Sequence, residues 1–466
     1  MKFLLAALVL LLPGPVTALA GNPAIDGVWS QPPLSAHPTA RGAFSLHLDT
    51  NRHRAILFGG YQGNATFDDV WVLDLDNPVA WQLLPVKGSL PLPRGDAQSV
   101  YDPVRDRLWI WGGRNHTGAV FGEPGYLQFT SVPGDTATWF RFNPNQEPIT
   151  FNRPTPRCAA GTVYDPVEHR MIFHGGATSP TLAAGGTWTL TLADPPTWHL
   201  MAAPSPYPYG ASQTSLSIDP LLGRLVLQGG MANSNWWQFP WYWSPQVWTL
   251  PLDNSGTWTQ LAPSGGDSLA SEPMTSALHP LQNRLVALKK GDLAEFGATN
   301  TVMGTWTLGL GTHEWIHRDP VNGPGPTLGV RMLYDPTEDR MLVVTDKWSG
   351  AITTWFLTWT GISGTPDAGT TRATWPVGPA WPNPFLEQVE IPFELSGEAR
   401  IGGMVVDAQG RLVRRLPEAP FQRGAQHLSW DGRDERGQSV RSGIYFVRLS
   451  RSDTGASSTV RVVRGR

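Results

Sequence analysis

Residues 102–113 read Asp-Pro-Val-Arg-Asp-Arg-Leu-Trp-Ile-Trp-Gly-Gly. An aspartate before a proline sets a tight turn, and the apolar, aromatic run after it reads as a β-strand. Gln98-Ser99-Val100-Tyr101, just upstream, supplies the other arm of a hairpin. The two glycines mark backbone that takes positive φ or packs where no side chain fits. The stretch is therefore strand, turn, strand and a close backbone approach.

The same pattern recurs along the chain. Copies begin at Asp49, Asp102, Asp165, Asp219, His279 and Asp335, and each is followed five residues later by an arginine: Arg54, Arg107, Arg170, Arg224, Arg284 and Arg340. Gly59-Gly60, Gly112-Gly113, Gly175-Gly176 and Gly229-Gly230 close the first four copies, whereas Lys289-Lys290 and Thr345-Asp346 fill that slot in the last two. Intervals of 53 to 63 residues make each copy a supersecondary unit. After the glycine slot a variable loop leads to a third strand expected to carry Trp71, Trp139, Trp188, Trp248, Trp306 or Trp355. A fourth strand follows at Trp81, Trp198, Trp258 and Trp315. The sixth unit lacks that second tryptophan, and Gly27-Val28-Trp29-Ser30 is expected to complete it.

A four-stranded unit of this size cannot bury both of its own faces. Six of them arranged radially can, with tryptophans between them and no sheet edge left free. These residues resemble the kelch-repeat β-propellers of the galactose oxidase-like superfamily, over roughly residues 25–360. The resemblance implies a fold and no particular activity.

Composition agrees with an all-β chain. The 466 residues include 50 Gly, 43 Pro and 22 Trp, with only 16% charged residues and a net charge of −3. Helix-rich, collagen-like and disordered classes are excluded by the Gly and Pro frequency, by the lack of a three-residue Gly period and by the low charge. The near-neutral balance gives no footprint for nucleic acid.

Residues 1–20 read as a secretory signal peptide: Lys2, a ten-residue apolar run from Phe3 to Leu12, then Ala18-Leu19-Ala20. No other segment is apolar over enough residues to span a bilayer as a helix. Cys158 is the single cysteine, so no internal disulfide is available, and it is expected as a small buried residue.

The expected domains are a propeller over 21–362, a Gly/Pro-rich linker over 363–380 and a small Ig-like β-sandwich over 381–466. Strands are expected at Val389–Phe393, Gly403–Asp407, His427–Trp430 and Ile444–Leu449. Pro382-Asn383-Pro384-Phe385, Gly410-Arg411, Trp430-Asp431-Gly432-Arg433-Asp434, Gly437 and Ser442-Gly443-Ile444-Tyr445 resemble the Ig-like module of FlgD-type hook-capping proteins and of type IX secretion sorting domains. That resemblance implies an extracellular bacterial protein whose tail engages secretion machinery. Asp431, Asp434 and Glu435 read either as a calcium site or as a turn with solvated charges.

Binding is expected on the long loops beyond the glycine slots. One runs from Arg114 to Ala137 with His116, Phe121, Glu123, Tyr126 and Phe129; the other holds Trp236, Trp237, Trp241 and Trp243. Exposed aromatics of this kind stack on sugars or anchor a protein, and the competing reading is a local core. Arg41, Arg94 and Arg157 stand eight residues before the turn aspartates of the first three units, as an anion-binding trio or as part of the repeat itself.

A copper-radical oxidase site needs a Cys-Tyr crosslink with paired Tyr and His ligands, which the sequence does not suggest. Sialidases, six-bladed with an arginine trio, are the enzymatic alternative, although Asp253-Asn254-Ser255-Gly256-Thr257-Trp258 only approaches their repeat box. No zinc spacing, phosphate loop or nucleophile elbow is found. The expectation is a secreted, non-enzymatic module for a glycan or protein partner, without metal or cofactor; the alternative is a glycan-processing hydrolase.

Overall fold

The computed structural model describes residues 27–88, 91–130, 135–142, 153–179, 182–201, 212–231 except 221, 244–265 except 254 and 255, 274–289, 303–345 except 319, 321, 326 and 328, 352–359, and 377–465 except 379, 384, 408–411, 442 and 452–456. Six sheets, each built on four antiparallel strands, follow one another through the first part of the chain. Their innermost strands are Ser45–Asp49, Gln98–Asp102, Gly161–Asp165, Ser215–Asp219, Met274–His279 and Val330–Asp335. We call the sheets blades 1 to 6 in that order.

The turn after each inner strand is built by the repeat's own polar residues. Asp49, Asp102, Asp165, Asp219 and Asp335 are buried, and each accepts a backbone N–H two or three residues on. In blades 1, 3, 4 and 6 the second carboxylate oxygen takes the Nε of the repeat arginine, at 2.8 to 3.0 Å. Blade 2 departs from this: Asp102 pairs with Arg105, while Arg107 reaches Gln128 and Asp194 of blade 3. The residue before the arginine is left-handed in every blade, at His53, Asp106, His169, Gly223, Asn283 and Asp339. All six are Asn, Asp, Gly or the also-tolerant His.

All eight residues of the four glycine pairs have positive φ. A Cβ on Gly59 would lie 2.4 Å from the Arg94 carbonyl oxygen, and one on Gly112 would lie 2.3 Å from that of Arg157. The same carbonyls accept from Gly60 and Gly113 N–H, so these two glycine pairs form seams to the next blade.

Six apolar clusters lie between neighbouring blades, one per seam. Trp81, Trp198, Trp258 and Trp315 occupy four of them. The cluster holding Phe44, Trp81, Leu342 and Phe356 joins blade 6 to blade 1, and Trp81 Nε1 donates to Thr354 Oγ1 there. Val28–Ser30 pairs antiparallel with Thr353–Thr358, with Trp29 opposite Leu357, and so supplies the fourth strand of blade 6. This first part of the chain is an all-β six-bladed propeller.

One expected strand is corrected. The third strand of blade 2 is Gly125–Thr130, inside the stretch expected as a loop, and Trp139 lies on the fourth strand, Thr136–Arg141. Gly125 stands where blade 1 has Trp71, and the Trp139 indole comes within 2.5 Å of its missing Cβ. The tryptophan has changed strands and still fills the same space.

The C-terminal module has a two-stranded sheet, Val389–Leu395 with Gly424–Trp430, and a four-stranded sheet ordered Leu412–Phe421, Ala399–Asp407, Gly443–Arg451, Ser457–Arg464. Phe385, Ile391, Trp430, Val447 and Val462 form its core. Leu412–Phe421, not foreseen as a strand, carries Pro417 and Pro420, which an edge strand tolerates. Asp431 and Asp434 accept N–H groups of their own turn, and Glu435 accepts from Arg415 N. These carboxylates hold a turn, which is the second of the two readings. Residues 1–26 and the linker residues 363–376 lie outside the described residues.

Candidate functional site

In the first four blades the ladder resumes briefly after the glycine pair. Tyr61, Arg114, Ala177 and Met231 bridge to Gly42, Gly95, Cys158 and Ser212. The residues after those partners are Ala43, Asp96, Ala159 and Gln213, all left-handed with φ between 54 and 57°. They are linked in a chain around the propeller: Asp96 N to Ala43 O (2.7 Å), Ala159 N to Asp96 O (2.8 Å) and Gln213 N to Ala159 O (2.6 Å). Four non-glycine residues at positive φ are a local cost, sustained by bonds between blades. They sit where each chain enters its inner strand, on the face that carries the glycine-slot loops.

Asp96 is the charged member of that chain, and charged groups gather on it. Its Oδ2 accepts from Arg114 Nε at 3.1 Å, and its Oδ1 lies 3.8 Å from Arg331 Nη2. Arg114 Nη2 donates to the Tyr61 hydroxyl. Arg331 reaches in from blade 6, donating Nε to Phe44 O and Nη1 to Val330 O. Four side chains from blades 1, 2 and 6 thus meet at one point. Asp96 and Arg114 are buried, whereas the Arg331 side chain is 34% exposed. Burial beside the Asp96 carboxylate raises the Tyr61 pKa, so the phenol stays protonated and able to donate. Burial opposes the Arg114 charge, but Asp96 and Tyr61 outweigh it and its pKa is raised. Cys158 is buried beside the same group, its thiol pushed up to about 12, and its Sγ faces Ala177 O.

The trio expected from the sequence is arranged differently. Arg41, Arg94 and Arg157 each donate Nη1 to the first glycine carbonyl of their own blade, Gly59, Gly112 and Gly175. Each also gives Nε to a carbonyl two residues back, at Thr39, Leu92 and Thr155. Arg41 adds a bidentate pair with Asp69, Arg94 stacks 4.5 Å over Phe121, and Arg157 adds Gly185 O. All three are buried and share no partner, so each latches its own glycine turn. Burial lowers Arg94 and Arg157 to about 10, which leaves them charged at neutral pH.

Of the first aromatic loop, Tyr126 and Phe129 are buried strand residues, Glu123 pairs with Arg141, and His116 meets Thr66. Trp236, Trp237, Trp241 and Trp243 lie outside the described residues. Between the inner strands runs a cavity of about 280 Å³, lined by His47, Ser99, Tyr101, Thr162, Tyr164 and Leu333 among others. His47 Nε2 and Ser99 Oγ are 2.8 Å apart there, and burial lowers the imidazole to about 4. Among the described residues no group of His, Cys, Asp and Glu could hold a metal ion.

Residues 388–455 match the FlgD Ig-like domain family. The C-terminal module is similar to a FlgD Ig-like domain. For the propeller the likeness is one of fold: a fungal alcohol oxidase of the AA5 family, solved with copper, superposes over 95% of this chain and all of its own at a TM-score of 0.50 and 10% identity. YjhT covers 71% of the chain at a TM-score of 0.47 and 14% identity. Two curated proteins match in sequence. The flagellar outer-arm dynein alpha chain of Chlamydomonas reinhardtii is 32% identical over 120 residues, 26% of this chain. The Rho GTPase-activating protein gacHH of Dictyostelium discoideum is 27% identical over 148 residues, 31% of this chain. The matches span only 2% and 9% of those two proteins, so they speak for a shared segment.

Sequence reading passed over Tyr61, Asp96, Arg114 and Arg331. The signal that finds them is departure from the repeat. Asp96 stands where other blades have Ala43, Ala159 and Gln213, and Arg114 where they have Ala177 and Met231. In a repeat, shared residues build the scaffold, and residues that break the pattern at an equivalent position are free to serve a site.

Proposed function

We propose that the chain is an exported bacterial binding protein whose propeller offers its loop face to a glycan, with the FlgD Ig-like domain acting in export or attachment. The observation that carries the reading is the convergence of Tyr61, Asp96, Arg114 and Arg331 beside a chain of strained backbone on that face. A cluster offering both donors and an acceptor at one point suits hydroxyl-rich ligands. The aromatic loop with Trp236, Trp237, Trp241 and Trp243 supplies the stacking half of the same proposal, and a protein partner would use the same face.

The test is a glycan array probed with the full chain and with a variant carrying Trp236→Ala, Trp237→Ala and Trp241→Ala. Loss of a wild-type signal supports the loop as a contact surface; an unchanged signal removes it from the site. The export role predicts that deleting residues 381–466 leaves a folded propeller that no longer reaches the cell surface, and normal delivery of the truncated protein refutes it.

The hydrolase reading retains one observation: a tyrosine and an acid, Tyr61 and Asp96, lie together beside two arginines. Turnover of a glycoside panel that is abolished by Asp96→Asn favours it. No turnover across the panel removes it.

A further inference from the structure

Among the described residues at the channel mouth, Arg114 and Arg331 both face the carboxylate of Asp96. Arg114 is committed to that carboxylate and to Tyr61. Arg331 is held differently. Its Nε and Nη1 are tied to backbone carbonyls, while its Nη2 points at Asp96 Oδ1 across 3.8 Å, beyond hydrogen-bond range. The guanidinium is therefore oriented by the fold, and the part aimed into the mouth has no direct bond. The Tyr61 hydroxyl, having accepted from Arg114, has its own hydrogen to donate. The Tyr61 ring is fixed as well, because it packs 2.6 Å from where a Cβ on Gly95 would stand.

We infer that this mouth takes a carboxylated sugar, with the ligand carboxylate on Arg331 and Tyr61 and a ring hydroxyl between Arg331 and Asp96. The inference rests on the glycan-binding reading above and narrows its ligand class. The carboxylate follows from two fixed donors, since guanidinium and phenol both bond best to an ionised acceptor. The hydroxyl follows from the gap, which places a donor and an acceptor at a separation that one hydroxyl bridges by accepting from Arg331 and donating to Asp96. A small inorganic anion satisfies only the first demand and a neutral sugar only the second. Asp96 plays an opposing part: it holds the hydroxyl but repels the carboxylate, and so limits affinity.

The test is calorimetric titration of the full chain with D-glucuronate, D-glucose and acetate, with folding of each variant checked by its thermal melt. The expected result is that glucuronate binds more tightly than either other probe and weakens as salt is raised. Arg331→Gln should weaken glucuronate about tenfold or more while leaving glucose within about twofold. Tyr61→Phe should cost several-fold. Asp96→Asn separates the inference from a purely structural role, because it removes the repulsion yet keeps a hydroxyl partner, so glucuronate should bind several-fold more tightly. Equal affinity for glucuronate and glucose, or a folded Arg331→Gln protein that binds glucuronate as well as wild type, overturns the inference. So does an absence of glucuronate binding at millimolar concentration. In that last case a positive glycan array sensitive to the tryptophan variant leaves the broader binding reading standing, so the two failures are distinguishable.

Discussion

His53 of the first blade places its Nε2 2.9 Å from Oδ1 of Asp335 in the sixth, 282 residues away, while its Nδ1 faces Asp76 at 2.6 Å. Other seams are bridged on this face by a tyrosine, as Tyr101 reaches Asp49 and Tyr164 reaches Asp102. Blade 1 has Leu48 at that position, and the left-handed turn residue His53 closes the ring instead.

That bridge makes part of the ring's stability titratable. The hydrogen bond to Asp335, with Asp76 adding to it, overcomes burial and raises His53 from 6.5 to about 9. Asp335 is buried, but His53 and Arg340 hold its pKa below the ordinary range. A raised folded-state pKa means the contribution is complete below the unfolded value and is lost as pH rises through about 9. His53→Asn keeps a residue that tolerates positive φ. It should cost about 1–2 kcal/mol near pH 6, a figure discounted because Asp76 is largely exposed. The cost should vanish by pH 10. Thermal melts of both proteins from pH 6 to 10 check this, and parallel curves would remove the bridge from the account.

The glycine pairs give a sharper steric prediction. A Cβ on Gly112 would meet Gln98 Oε1 at 2.2 Å and the Arg157 carbonyl at 2.3 Å, on backbone at φ +65°. Gly63 has a similar φ of +54° with nothing within 4 Å. Gly112→Ala should therefore cost about 3 kcal/mol or more, by overpacking and by prising blades 2 and 3 apart. Gly63→Ala should cost only about 1 kcal/mol from its backbone conformation. Similar denaturation midpoints for the two variants would contradict the seam.

How much of this could be read beforehand depends on the kind of residue. Asp49, Arg54 and Gly59-Gly60 were legible because the same chemistry returns at nearly constant spacing, and chance does not produce six arginines, five aspartates and four glycine pairs in register. Trp29 was legible as the closing strand because blade 6 lacked a second tryptophan that four other blades had. Gly125–Thr130 was hidden because its tryptophan had moved to Trp139 on the next strand, which leaves the packing intact but displaces the marker. The channel mouth was hidden for a different reason. Tyr61, Asp96, Arg114 and Arg331 belong to three blades, and spacing along the chain carries no information about their meeting.

Arginines of the two kinds should separate in experiment. Arg94 is buried and donates to Leu92 O and Gly112 O, so Arg94→Met strands the buried Gly112 carbonyl at the seam and gives up a part-buried bond to Leu92. A loss of about 2–3 kcal/mol is expected. Arg331→Gln at the half-exposed mouth gives up part-buried bonds to Phe44 O and Val330 O and should cost about 1 kcal/mol, less than Arg94→Met. Urea denaturation of the two variants distinguishes a latch from a site residue, and the reverse order would exchange the assignments.

Closure by Val28–Ser30 yields the last prediction. Trp29 is 3% exposed and packs in the cluster between blades 5 and 6 with Val286, Met341 and Leu357. Trp29→Ala leaves the backbone ladder in place and should cost about 3–5 kcal/mol, the range for emptying a large aromatic site. Removing residues 1–30 has a second consequence, because it strips the partner from Thr353–Thr358. An unpaired apolar edge is a template for another chain, so the truncated propeller should form concentration-dependent oligomers in light scattering where Trp29→Ala stays monomeric. If both proteins remain monomeric and equally stable, the ring does not depend on this strand, and the cluster of Phe44, Trp81, Leu342 and Phe356 with the bridge from His53 to Asp335 holds blade 6 to blade 1 without it.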